Sequence, residues 1–156
     1  MKFTTTAAAL TLCLIMACTP YQPQGFAGGY TETWLAEDAV RVRFNGNGYT
    51  SAERAADFSL LRVAEIAKEK GYRYFVLLSE KSGTTSLNLP SSYQVNTFGN
   101  TATVQQVGGG TIVKPSSENT AKLLKKAPRN YPGIVYEAAF VCASVTQKHK
   151  IETSSC

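Results

Sequence analysis

Histidine is nearly absent from this chain. His149 is the only one in 156 residues, and it stands in Lys148-His149-Lys150, which reads as a solvated basic cluster. A nucleophilic triad needs a histidine beside a nucleophile and a third group to orient it, and no such arrangement is legible. The acidic residues are scattered, so neither a carboxylate pair nor a metal site is expected. The four cysteines follow no zinc spacing. No basic run with interleaved aromatics points to nucleic acid, and no apolar run reaches the roughly 20 residues of a spanning helix. Charge itself is scarce over 82–119, where Lys114 and Glu118 are the only charged residues. No cofactor is implied.

What is present begins at the N-terminus. Lys2 is followed by an apolar run from Ala7 to Met16, broken only by Thr11, and then by Ala17. Charge, short apolar stretch and small residue make a secretory signal peptide over 1–17. Ile15, Ala17 and Cys18 resemble the box that closes bacterial lipoprotein signals, although Met16 is larger than is usual there. Ordinary cleavage favours small residues at −3 and −1, and Ile15 would occupy −3. Cys18 is therefore expected to be the lipid attachment site. The resemblance implies a diacylglycerol thioether, cleavage before Cys18 and acylation of the new amine. Each buried CH₂ contributes about 0.8 kcal/mol, and stable anchoring takes more than one chain. Thr19 rather than Asp after the cysteine resembles lipoproteins of the Gram-negative outer membrane, facing the periplasm.

Removing 17 residues leaves 139, enough for one domain with a modest core. Lys2 leaves with the signal, so fifteen basic residues face eleven acidic ones and the net charge is +4, a mild excess. Cys142 and Cys156 remain as an exported pair. Bridged, they would stabilise by about 3 kcal/mol through chain entropy; the alternative is two free thiols, one on a frayed tail.

Residues 18–29 carry Pro20, Pro23, Gly25, Gly28 and Gly29 without periodicity, and read as a lipidated flexible tether. Tyr30 to Trp34 suggests an edge strand. Val40, Val42 and Phe44 alternate with Arg41, Arg43 and Asn45 as in a half-buried strand. Thr50-Ser51-Ala52-Glu53 is a capping-box pattern opening a helix to Lys70, with Gly71 as its stop. Phe58 and Leu61 fall off the main apolar stripe, to be covered by a loop or strand or to meet a partner. Tyr72 to Leu78 reads as a central strand, giving a β-α-β unit. The polar excursion 82–119 is expected to be poorly packed and largely disordered, with one weak hairpin of Tyr93 to Phe98 and Thr101 to Val107 turning at Gly99-Asn100. Thr120 to Lys126 suggests a third strand or a short helix. Ile134 to Lys148 suggests a second helix, its β-branched content keeping a strand open, and 151–156 a tail. The fold expected is α+β: a small sheet of three to four strands with a β-α-β unit, packed on one long helix and a C-terminal helix, as a single domain over 30–150.

Tyr21-Gln22-Pro23, Gly46-Asn47-Gly48-Tyr49-Thr50-Ser51, Gly71-Tyr72-Arg73-Tyr74-Phe75 and Val135-Tyr136-Glu137-Ala138 resemble a family of small Gram-negative envelope lipoproteins. The resemblance implies export and lipidation and carries no catalytic residues. The glycine turn at Gly46 also imitates a dinucleotide fingerprint, but Ser51 replaces its third glycine; a turn with a helix cap explains the same residues. Lys122, Lys125, Lys126 and Arg129 form a basic patch, either a solvated face or an anion contact. The expected function is a membrane-anchored, non-enzymatic envelope lipoprotein in a structural or protein-interaction role, with the membrane and an envelope protein as partners. The alternatives are a binding module for an anionic lipid or glycan, and a hydrolase of unidentified residues.

Overall fold

A computed structural model describes residues 20–99, 101–153 and 155–156. The expected signal segment over 1–17 and the expected lipid site Cys18 lie outside the described residues. The alternation of Val40, Val42 and Phe44 builds β2 (Ala39–Asn45), with those three side chains buried and Arg41 and Arg43 exposed. β1 (Gly29–Ala36) pairs with it antiparallel, from Gly29↔Asn45 to Ala36↔Ala39. α1 (Ala52–Glu69) is capped by Ser51, whose Oγ accepts from the Arg54 N–H at 3.1 Å. Gly71, at φ +74°, ends it, and the Tyr72 N–H returns to the Ala67 carbonyl.

The chain then runs through β3 (Tyr74–Phe98), turns at Gly99, and comes back as β4 (Thr101–Leu124). β5 (Val135–Glu137) and α2 (Ala138–His149) complete the order. The sheet reads β1-β2-β4-β3-β5 and every neighbouring pair is antiparallel. α1 and α2 cover one face. Phe44, Phe75, Ala121 and Leu123 meet Phe58, Leu61 and Ile66 of α1 and Val141 and Cys142 of α2 in one core. Each large side chain buried there stabilises by about 1.5–3 kcal/mol.

The expected fold is corrected in four respects. The sheet has five strands rather than three or four. β2 and β3 run parallel to each other, but β4 lies between them, so they do not form a β-α-β unit of adjacent strands. An intervening strand lets both find antiparallel ladders, which are slightly more stable per residue. The excursion 82–119 is strand throughout except around the turn. Finally, Val135–Glu137 forms an edge strand before the second helix, because Tyr136 stacks on Phe75 at 5.1 Å between ring centres. A bulge at Leu78, between the pairs Leu77↔Ala121 and Ser79↔Thr120, inserts one extra residue into β3.

Residues 20–29 are not a free tether. Gln22 and Gln24 bracket Tyr30 in a parallel bridge, with the Tyr30 N–H on the Gln22 carbonyl at 2.9 Å and the Gln24 N–H on the Tyr30 carbonyl at 2.8 Å. The Tyr21 ring packs edge-on against Phe58 at 5.3 Å, and its hydroxyl donates to Glu65. The tail is also tied down: Cys156 is disulfide-bonded to Cys142 of α2, with their Cα atoms 5.4 Å apart. Ser155 donates to Glu69.

Candidate interaction site: a projecting hairpin

The last rung between β2 and β4 is Asn45↔Ser116, and Ser116 pairs with Gly83 on the other side. Beyond it, residues 84–98 and 101–115 continue as a ribbon of two strands. Fifteen residues at about 3.3 Å each carry this arm roughly 50 Å from the sheet. Its pairs keep one register, from Thr84↔Pro115 through Leu87↔Ile112 and Val95↔Val104 to Phe98↔Thr101. Gly109 faces Pro90 and holds φ +86°; a Cβ there would meet the Ser91 Cβ at 2.9 Å. Only glycine accommodates that turn of the backbone and that approach.

The register sorts the arm into two faces. Leu87, Leu89, Tyr93, Val95, Val104 and Ile112 share one, interrupted by Ser91, Thr97 and Gln106. Asn88, Ser92, Gln94, Asn96, Thr103 and Gln105 share the other, with Val107 and Val113 among them. In the body, β4 turns Ala121 and Leu123 toward the helices and Glu118 and Lys122 outward. Along the arm the polarity of the two faces is reversed: the apolar residues continue the open, charged face. No charged residue occurs from Ser82 to Val113.

Both edges are open. β5 pairs with β3 only at Tyr74, Phe75 and Val76. On the β4 side the Gly46 N–H donates to the Pro115 carbonyl, and the turn at Asn47, Gly48 and Tyr49 lines a cleft of about 520 Å³ with Thr111 to Lys114. Among the described residues no strand pairs with the outer edges of residues 82–98 or 101–110. Natural edges are usually shielded by charge, bulges or proline. Here Pro90 and the glycines at 108–110 are the only such devices within residues 84–113. Leu87, Tyr93, Val95, Phe98 and Val104 are left exposed.

Two clusters of ionisable groups in the body are engaged in structure. Arg62 is a hub, 2.6 Å from Glu32, 2.8 Å from Glu65 and 3.0 Å from Glu69, with its guanidinium over the Tyr30 ring. Burial and the hydrogen bond to Glu65 push the Tyr21 hydroxyl far above its ordinary value. These groups clamp the N-terminal segment and the tail onto α1.

His149 is not solvated as the sequence suggested. Its side chain is 11% exposed, packed edge-on against Phe58, with Nε2 donating to Asp57 at 2.7 Å and Nδ1 accepting from Arg54 at 3.4 Å. Burial alone would raise the Asp57 carboxyl, but hydrogen bonds from Lys148 and His149 outweigh it and hold it below its ordinary value. No serine, threonine, tyrosine or cysteine side chain bonds to this His149–Asp57 pair in the hydrogen bonds of the described residues.

No family model, curated protein or solved structure matches the chain.

The remaining sequence candidates resolve separately. Lys122 pairs with Asp38 at 3.4 Å and Lys125 lies over Tyr72, while Lys126 and Arg129 are exposed on the turn after β4. Gly46 and Gly48 are explained by packing: a Cβ at Gly46 would meet Thr50, and one at Gly48 would meet Ile112 at 2.6 Å. Phe58 and Leu61 are fully buried, which removes them as partner contacts. Among the described residues no group of three or more His, Cys, Asp or Glu is placed to hold a metal ion. The expected hairpin of Tyr93–Phe98 and Thr101–Val107 is present, but sequence reasoning missed the length of the arm, whose ladder runs back to Thr84↔Pro115. Its signal was there in Leu87-x-Leu89 and Tyr93-x-Val95, mirrored by Ala102-x-Val104 across Gly99-Asn100.

Proposed function

We propose that this chain is a membrane-anchored envelope lipoprotein, non-enzymatic, that holds out a hairpin arm to engage protein through its strand edges. The arm carries the reading. A two-stranded ribbon is marginal in water by itself. Paired strands with no charge from Ser82 to Val113, and with two outer rows of backbone donors and acceptors that no described strand meets, are a template for strand addition. The ion pairs of Arg62 and of Asp57, which clamp the N-terminal segment and α2 onto α1, support a structural role. Lipidation at Cys18 rests on the Ile15-Met16-Ala17-Cys18 pattern. With Tyr21 docked on α1, only Thr19 and Pro20 separate Cys18 from the body, a reach of at most about 11 Å. The body would therefore ride close to the bilayer.

Mass spectrometry of the mature N-terminus, with fractionation of the two membranes, tests the anchor. The expected product begins at Cys18, carries three acyl chains and sediments with outer membrane. A Cys18→Ser variant processed and sedimenting like the parent protein overturns it. Crosslinking in cells tests the arm: adducts are expected with the full chain and lost when 84–115 is replaced by a two-residue turn. Adducts that persist without the arm would remove it as the contact.

A further inference from the structure

We infer that the arms of several copies pair edge to edge and close into a β-barrel that crosses the bilayer. The inference rests on the anchored reading above and names the partner: further copies of this chain.

The two open edges of the arm choose the occupant. A foreign strand laid on residues 82–98 would leave 101–110 exposed, and the reverse. Another copy of the arm presents both edges at once, and a closed ring of arms has no edge left. The two faces then choose the surroundings. A closed ring has an inside and an outside, and the arm has a polar, uncharged face and an apolar one. Leu87, Leu89, Tyr93, Val95, Val104 and Ile112 would face lipid, and Asn88, Ser92, Gln94, Asn96, Thr103 and Gln105 would face water.

Length agrees. The apolar face extends over Leu87–Val95 and Val104–Ile112, nine residues on each strand, or eleven with the Thr97↔Ala102 pair nearer the tip. Spanning strands have about 9–11 residues tilted near 45°. Eleven at about 3.3 Å, so tilted, cover roughly 26 Å, against an apolar band of about 25 Å in membrane barrels. The reversal of polarity between body and arm also follows: the body buries its apolar side under helices, whereas the arm turns its apolar side outward. Position agrees as well. Gln22–Gln24 runs alongside β1 from the level of Gly29–Tyr30, the sheet end from which the arm departs. Acyl chains at Cys18 would hold that end at the bilayer. Each copy brings two strands, so the smallest known size, eight strands, takes four copies. A polar interior without charge suits the water-filled bore of a larger ring.

The test uses the full lipidated protein, purified in detergent and reconstituted into vesicles and planar bilayers of phosphatidylethanolamine and phosphatidylglycerol. Homo-oligomers of more than four copies by native mass spectrometry and a stepwise ion current are expected. Leu89→Arg and Val95→Arg, on the apolar face, are expected to cut the current at least tenfold. Gln94→Glu and Asn96→Asp, on the polar face, should keep the oligomer and shift selectivity several-fold toward cations. All four positions are exposed on the arm, so the thermal unfolding of the body should match the parent protein and exclude misfolding. Monomers without current overturn the barrel, as does Val95→Arg conducting like the parent, or Asn96→Asp failing as Val95→Arg does. A complex in which an unrelated protein replaces the other copies overturns it too. If Cys18 carries lipid and no current appears, the barrel alone fails. If the chain conducts without lipid at Cys18, the anchor alone fails.

Discussion

β3 and β4 each run through two different environments. From Tyr74 to Leu77 and from Ser117 to Leu124 they belong to a five-stranded sheet, where Phe75, Ala121 and Leu123 are fully buried beneath α1. From Thr84 to Pro115 the same two strands keep their ladder, touched near the base by the turn at Asn47–Tyr49, and among the described residues no strand lies beside them for most of that length. Backbone pairing is alike in both halves, and only burial distinguishes them. Stability therefore resides in the body, and the arm is left free to be specified by what it meets.

That contrast can be broken by experiment. The largest effect is expected in the core. Phe58→Ala, which removes the ring shared by Tyr21, Phe44 and His149, should cost about 3–5 kcal/mol in urea unfolding. Replacing 84–115 by a two-residue turn should leave the melting temperature of the body within a few degrees. A body that unfolds without its arm would show that the two are one cooperative unit. Next comes the Cys142–Cys156 bridge, which links α2 to the tail across a separation of 14 residues. Cys142→Ser with Cys156→Ser should lose about 3 kcal/mol, read in the same denaturation curve. Glu65→Gln weakens the contacts to Tyr21 and Arg62 together, and about 2 kcal/mol is expected, with earlier proteolytic cleavage between Tyr21 and Tyr30.

A smaller effect depends on pH. The folded carboxyl of Asp57 lies below its unfolded value, so its contribution is fully present above the unfolded pKa. It is lost as pH falls through the folded pKa, that is, below about 4. Glu69 behaves likewise: hydrogen bonds from Ser155 and Arg62 override the effect of burial and hold its carboxyl low. Asp57→Asn should remove about 0.5–1 kcal/mol at pH 7 and flatten the acid limb of stability against pH. The smallest effect belongs to the arm. Val95→Thr should change body stability by less than about 0.5 kcal/mol, because the side chain is 60% exposed. A larger loss would mean that arm and body are coupled.

The sequence made the local elements legible and left the long-range ones hidden. Val40, Val42 and Phe44 announced β2 through period two, and Ser51 and Gly71 bounded α1, because alternation and capping are properties of neighbouring residues. The turn at Gly99 was marked for the same reason. The base of the arm reads as disorder in the sequence because Ser82 pairs with Ser117 and Thr84 with Pro115, across more than thirty residues that carry almost no charge and three consecutive glycines. Its period-two pattern is diluted by Ser, Thr and Gln on the apolar face and by Val on the polar one. In the sequence β5 merges with the following helix, because three residues carry too little periodicity to separate strand from first turn. His149 was assigned to solvent because its partners Asp57 and Arg54 lie more than ninety positions away.

The extra residue at Leu78 has a mechanical corollary. Bulges bend a strand and increase its local twist, and this one sits between the anchored start of β3 and about 50 Å of projecting ribbon. A change of roughly 10° at the pivot would swing the far end through about 9 Å. Deleting Leu78 would leave every rung on either side able to form, yet it would alter the aim of the lever. A single residue near the base therefore governs where Phe98 and Gly99 point.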